Sequence, residues 1–370
     1  MSLAKTEELR QLQESVRHLL ADQMPLTRVR EIAAAGSGAD PRLSALLADI
    51  GVPSLPVPEE YGGVGSGYAE LVCVFEEFGR SLAPVPYLAT LGLGVPALLA
   101  SQDEEALRDY LPRVAAGDLT IALAWVEAGG DWDTPAATSA SQAADGTWTV
   151  SGEKVYVLDG QSAGLLLVPA RTGEGDALFA VDGAAAGLAR AVTPTLDQTR
   201  PLARVTFADA PARLVGPRSG GQDILSAALD HAAVLLAAEM AGGAQACLDM
   251  SVQYAKIREQ FGRPIGSFQA IKHKCAEIMV AVEGARGAVT YGGWAATESP
   301  AELPVVSVIA KLAAGEAYFR AAAENVQIHG GIGFTWEHDA HLYFKRAESS
   351  VLLFGDLSAF RRKLADRIGI

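Results

Sequence analysis

The stretches YAKIREQFGRPIGSFQAIKHKCAEI, Tyr254 to Ile278, and QIHGGIGFTWEHDAHLYFKRA, Gln327 to Ala347, decide the fold. Within the first, Arg258-Glu-Gln-Phe-Gly-Arg-Pro-Ile-Gly266 ends one long helical run and precedes another. Gly262, Pro264 and Gly266 stop the helix and shape a tight connection. Arg258 and Arg263 put positive charge at a helix C-terminal end, which by itself reads as a dipole-compensated stop. The same arginines could clamp a pyrophosphate while Phe261 covers an apolar ring. Composition alone favours the plain stop. In the second stretch, glycines at 330, 331 and 333 let another backbone or a ligand approach closely. Gln327 can donate and accept hydrogen bonds. This turn does not follow a strand, as a dinucleotide fingerprint would. His329 alone reads as a structural histidine. Six histidines without HxH or HxxxH spacing argue against a metal site.

Around these stretches the chain changes texture twice. Residues 1 to about 118 read as helices over Thr6 to Ala21, Arg42 to Ile50, Tyr68 to Leu82 and Glu104 to Ala116. The last follows Ser101-Gln102-Asp103, a plausible N-cap segment. Residues 119 to 215 carry short β-type runs at Thr147 to Val150, Val155 to Leu158, Leu165 to Val168 and Ala177 to Val181. Asp145-Gly146, Ser151-Gly152, Asp159-Gly160 and Thr172-Gly173 separate them as hairpin punctuation, which predicts a small antiparallel β domain. Residues 216 to 370 return to long helices: Ile224 to Gln260, broken only by Gly242-Gly243, then Ser267 to Glu298 and Pro304 to Ile328. Such lengths suit a four-helix bundle. Ala184 to Ala186 reads as a loop connection.

The 370 residues are 49% hydrophobic and carry a formal net charge of −14. That is material for large cores, and it argues against nucleic acid, which needs a basic face. An anionic ligand must find a local basic or dipolar site. Met1 to Met24 is charged and amphipathic, without the apolar block of a secretory signal, and no apolar run reaches bilayer length. A cytoplasmic protein without a membrane segment is the expectation. Cys73, Cys247 and Cys275 are sparse and unpaired in pattern, which fits reduced, buried thiols.

Taken together, the two stretches resemble the signature segments of the acyl-CoA dehydrogenase family in content, order and separation. Pro58 to Gly63 (PEEYGG) and the helix–β–helix layout match as well, so the resemblance covers essentially the whole chain. It implies a mostly α fold with a middle β domain: an N-terminal helical domain (1–118), a β-barrel-like domain (119–215) and a C-terminal four-helix bundle (216–370). It also implies FAD, an acyl-CoA substrate and a tetramer built from two dimers. By the same resemblance Arg258, Gln260 and Phe261 would contact the adenosine-diphosphate end of a neighbouring subunit's FAD, joined by Gln327 and Gly331.

The family reaction moves an α-proton to a carboxylate and a β-hydride to the flavin, with the thioester carbonyl polarised. In many members the glutamate lies shortly after the QxxGG motif. Ungapped counting puts Phe354 there, within Leu353-Phe354-Gly355-Asp356. A minority carry it on the helix leading into RxxFG, where this chain has Ala232. Asp230 points elsewhere on that helix, and Glu239 reads as a helix-surface or interface residue. The loop bordering flavin and acyl chain is altered to Val126-Glu-Ala-Gly-Gly-Asp-Trp-Asp133. The strand residue that meets the flavin ring is Leu158, in Tyr156-Val157-Leu158. No catalytic residue is therefore assigned. The chain resembles the base-lacking partner in heterotetrameric (α2β2) bacterial enzymes, which place FAD at the interface with a base-bearing subunit and commonly act on steroid side-chain CoA esters. Three alternatives stay open: a self-sufficient homotetramer using Asp356 or Glu127, a flavin-free scaffolding subunit, and an acyl-CoA oxidase, although oxidase chains are usually much longer.

Overall fold

The computed structural model describes residues 6–36 and 38–370; Met1 to Lys5 of the expected amphipathic N-terminus lie outside them. The α-helices are α1 Glu7–Gln23, α2 Leu26–Ala35, α3 Pro41–Asp49, α4 Tyr68–Ser81, α5 Val95–Ser101, α6 Glu104–Ala115, α7 Gly221–Ile257, α8 Gln269–Glu298, α9 Leu303–His329, α10 Ala340–Leu352 and α11 Leu357–Ile368. The strands are β1 Ile121–Leu123, β2 Ser139–Gln142, β3 Trp148–Leu158, β4 Leu165–Arg171, β5 Asp176–Asp182, β6 Leu188–Thr193, β7 Leu202–Val215, β8 Glu259–Gln260 and β9 Arg263–Pro264. By packing, the described chain falls into two compact units. One gathers the described part of residues 1–31, Gly67–Ala83 and Ala233–Ile370; the other gathers Ile32–Ser66 and Pro84–Ala232.

The first unit is helical. Thr6 caps α1 by accepting from the Leu9 N–H, and α1, with Val16 and Leu20 buried, packs on α4, where Gln13 and Arg17 donate to Glu77. Helix α4 also lies against α7. A Cβ on Gly79 would overlap the Glu239 carbonyl, and one on Gly242 would overlap that of Glu76. The Gly242-Gly243 pair therefore does not break α7. Gly242 lets two backbones touch, because a glycine without Cβ admits a neighbouring helix at closest range, while Gly243 makes room for the Tyr318 ring. Helices α8, α9, α10 and α11 complete the unit around the buried side chains of α9.

The second unit holds the sheet. Five strands close on themselves: β4 pairs β5, β5 pairs β7, β7 pairs β3, β3 pairs β2, and β2 returns to β4; β1 and β6 add at the outside. The result is barrel-like. Val150, Val157, Leu166, Val168, Phe179 and Phe207 fill its interior. Two expectations need correction. The sheet is mixed, because β1 and β2 both run parallel to β4. Ser151-Gly152 is also no hairpin turn: one eleven-residue strand runs through it, and register shifts flank both Gly152 and Tyr156. Glycine marks a bulge as readily as a turn, and here a Cβ would lie 2.6 Å from the Thr138 hydroxyl. Asp103 caps α6 as expected, accepting from Ala106 N–H, and its other oxygen takes the Gly216 N–H.

One further expectation fails on composition. Helix α7 is long and apolar enough to cross a membrane, with a mean hydropathy of 1.5 over its best window. Asp230, His231 and Glu239 interrupt the run, but the surrounding alanines and leucines keep the average high. Because 78% of that window is buried inside the protein, α7 reads as a core helix.

Candidate functional site

Helix α7 ends at Ile257, and the Arg258 N–H still bonds back to Tyr254 O at 2.9 Å. The chain then forms a two-stranded hairpin, with Gln260 opposite Arg263 and the Ile265 N–H on Arg258 O at 2.8 Å. This corrects the expected helix to Gln260. Gly262 takes φ +74, and Phe261 takes φ +54, a region bulky residues rarely occupy. Arg258 and Gln260 are exposed, and the Phe261 ring is 91% exposed. The hairpin is braced from below, where Arg263 lies over the Phe268 ring at 4.3 Å.

The second signature segment closes α9. Gln327 is exposed on its last turn, and a Cβ on Gly331 would meet nothing within 4 Å. The bareness of Gly331 is thus not demanded by this chain's own packing. Gly330, at φ +63, is needed for the turn itself. His329 is buried, and its Nδ1 lies 2.8 Å from Asn325 O. Beyond the turn, Phe334 and Trp336 stand mostly exposed.

Neither expected base position carries a carboxylate. Ala232 is fully buried. Phe354 is buried with φ +66, and Lys311 from α9 binds the carbonyls on either side of it, Leu353 O and Gly355 O, the latter at 2.7 Å. Lys311 is itself fully buried, its ammonium 3.9 Å from the Phe360 ring centroid. Burial pushes its pKa well down, with Lys363 adding to the effect.

The alternative bases are engaged elsewhere. Asp356 is the N-cap of α11 and accepts from the Ala359 N–H at 2.7 Å. Glu127 is buried. It accepts from Lys154 Nζ at 2.5 Å, from the N–H groups of Ala137 and Thr138, and from the Thr138 hydroxyl. Burial disfavours its charge, but Lys154 and those N–H groups outweigh it and hold the carboxyl below its ordinary range. Glu127 therefore ties the 126–138 loop to β3. On that loop Trp132 stacks on Tyr156 with ring centroids 5.8 Å apart, and Trp125 adjoins it at 5.5 Å. Leu158 is buried at the end of β3.

Glu239 also departs from expectation. It is buried and paired with Arg346 at 2.6 Å, where a surface or interface residue was anticipated. Its partner lies 107 residues away, so no local pattern shows the pair. Lys311 was missed too, although a lone lysine inside the apolar run of α9 was a signal for a buried charge.

The chain matches two family models: acyl-CoA dehydrogenase, N-terminal domain, over residues 6–118, and acyl-CoA dehydrogenase, C-terminal domain, over residues 219–369. It is 36% identical over 365 residues to acyl-CoA dehydrogenase IpdE2 of Mycobacterium tuberculosis, covering 98% of both chains. The chain belongs to the acyl-CoA dehydrogenase family. Members of this family use FAD. Among solved structures similar to this family member is a variant of the Tcur3481-Tcur3483 steroid ACAD, with a TM-score of 0.89 at 32% identity over 98% of both chains. The ChsE4-ChsE5 complex from Mycobacterium tuberculosis matches with a TM-score of 0.90 at 28% identity, covering 100% of this chain and 99% of that one.

Proposed function

We propose that this chain is the non-catalytic subunit of a heteromeric, FAD-dependent acyl-CoA dehydrogenase, and that it completes a flavin site held chiefly by a base-bearing partner subunit. One contrast carries the reading. Both base positions are filled by buried hydrocarbon, Phe354 and Ala232, while Phe261 is held out in solvent in a costly backbone conformation. A bulky residue in that conformation, touching only the edge of Phe268 with ring centroids 6.1 Å apart and otherwise in solvent, is suited to a site on another chain.

The exposed groups fit the dinucleotide. The guanidinium of Arg258 suits a pyrophosphate, Phe261 offers a face to an apolar ring, Gln260 and Gln327 offer amides, and bare Gly331 leaves room for close approach. When bound, FAD supplies the hydride acceptor of the family reaction. This chain's residues hold and orient it, and the α-proton goes to the partner's carboxylate. Asp356 and Glu127 have structural duties, which weighs against a self-sufficient enzyme. The exposed clamp weighs against a flavin-free scaffold.

The substrate assigned under this reading is an acyl-CoA, with the CoA ester of a steroid side chain as the particular class. The steroid ACAD likeness supports that class. An α2β2 assembly, cytoplasmic placement and the three chain segments 1–118, 119–215 and 216–370 as domains belong to the same proposal. The test is flavin content. Purified alone, the chain should carry little FAD; purified with its partner, the complex should carry one FAD per heterodimer. A yellow homomer that oxidises acyl-CoA unaided would sink the proposal.

A further inference from the structure

Three rings pack in a row, tilted against one another, where the two signature segments meet. Tyr254, one turn before Arg258, lies 4.3 Å from His329, and His329 lies 4.3 Å from His338. His329 sits between Gln327 and Gly331, so the row reaches both proposed flavin-contacting segments. At its far end stands Arg30 of α2. Its guanidinium grips Asp339 Oδ1 at 2.8 and 3.0 Å, Trp336 O at 2.9 Å and His338 O at 2.9 Å, and reaches His341 Nε2 at 3.3 Å. One partly buried side chain thus fixes a stretch that would otherwise be an open loop.

We infer that Arg30 and the Tyr254–His329–His338 ring row form a registering device that sets the Arg258 hairpin and the Gln327–Gly331 turn against each other for flavin. The inference rests on the proposed trans-acting clamp. Arg30 and His338 touch no flavin in this scheme; they are positioning residues, acting through His329 and Tyr254. Supporting residues of this kind must hold a site to within about 0.5 Å, so their loss is felt at the ligand.

The device is also sensitive to acid. The charged and titratable groups around the two imidazoles are Tyr254 from α7, Arg30 from α2, and Asp339, His341 and Lys345 before and on α10. Burial holds His329 below its ordinary value, and the charge of His338 adds to this. Burial lowers His338 as well; Asp339 pulls it up and Arg30 pushes it down. Both rings are therefore neutral at neutral pH. With a depressed folded-state pKa, the packed form keeps its full stability above the ordinary histidine value of about 6.5 and loses it as pH falls below that. Two imidazolium rings in contact beside a guanidinium repel one another.

The test uses the flavin-loaded assembly formed by the full chain, homomeric or heteromeric, stripped and retitrated with FAD between about pH 8 and about pH 5.5. Arg30→Ala should weaken FAD binding about tenfold at neutral pH while the assembly still elutes intact. Arg30→Lys should do the same, because an ammonium cannot reach two carbonyls and a carboxylate in one plane. His338→Phe keeps a ring in the row. It should bind FAD normally at neutral pH and lose the acid-dependent release seen in the wild type. Where Arg30→Ala does not assemble, Arg30→Lys and His338→Phe decide. Wild-type affinity in both Arg30 variants, or an unchanged acid profile in His338→Phe, overturns the inference while Arg258→Ala still weakens binding. Unchanged binding in Arg258→Ala overturns the clamp itself, and the inference with it.

Discussion

Phe261 and Phe354 are two phenylalanines in the same rare left-handed conformation, each followed by a glycine and each just past the end of a helix. Their surroundings are opposite. Phe354 is buried, its flanking carbonyls held by Lys311 and its loop closed by the Asp356 cap. Phe261 is open to solvent at the turn of the Glu259–Pro264 hairpin. The local cost is alike, on the order of 1–3 kcal/mol each. At Phe354 the interior offsets it; at Phe261 the chain returns an edge contact with Phe268, ring centroids 6.1 Å apart, and leaves the rest of the ring in solvent. Under the proposed function, the difference separates a position given to structure from a position given to a ligand.

Substitutions can break this contrast or sharpen it. The largest effect is expected in the interior. Glu127→Ala strands Lys154 without its carboxylate and should cost about 4 kcal/mol in urea unfolding. A loss under about 1 kcal/mol would reopen Glu127 as a chemical group. Lys311→Met removes the donor for two buried carbonyls and should cost about 3 kcal/mol, read as a lowered Tm. If stability is kept and only turnover falls, the Phe354 loop is not the structural element described above. Asp356→Ala should cost about 1 kcal/mol, the usual worth of an N-cap, with flavin content unchanged. Loss of turnover at full flavin content would restore Asp356 as a candidate base. The smallest stability effect belongs to Phe261→Ala, within about 0.5 kcal/mol. That variant should nonetheless retain less FAD through gel filtration of the complex, and equal retention would end the comparison.

Much of this was legible in the chain. Asp103 announced its helix because capping chemistry is local. The long helices α7 to α9 announced themselves by continuity. The family was readable because its two signature segments are contiguous runs. What escaped depends on partners far away or on ambiguous residues. Gly152 serves a bulge with the same freedom it would lend a turn. Leu88 to Gly94 forms a π-helical turn running into α5, and every residue in it is buried, so no periodicity marks it. Strands β6 and β7 pair along their length, but β6 is half-exposed and alternates weakly. Glu239 looked like a surface residue because Arg346 lies on a different helix. Tyr254, His329 and His338 come together only once α7, α9 and the turn after α9 have packed.

The hairpin and the turn after α9 leave Phe261, Phe334 and Trp336 at 91%, 86% and 74% exposure, with Ile257 and Leu352 also open. Aromatic surface of this kind on a lone chain is a recognition signal for chaperones and proteases, and a nucleus for aggregation. Under the proposed assembly, an orphan copy made in excess of its partner would be short-lived. Its abundance in the cell would then follow the supply of that partner more than its own rate of synthesis.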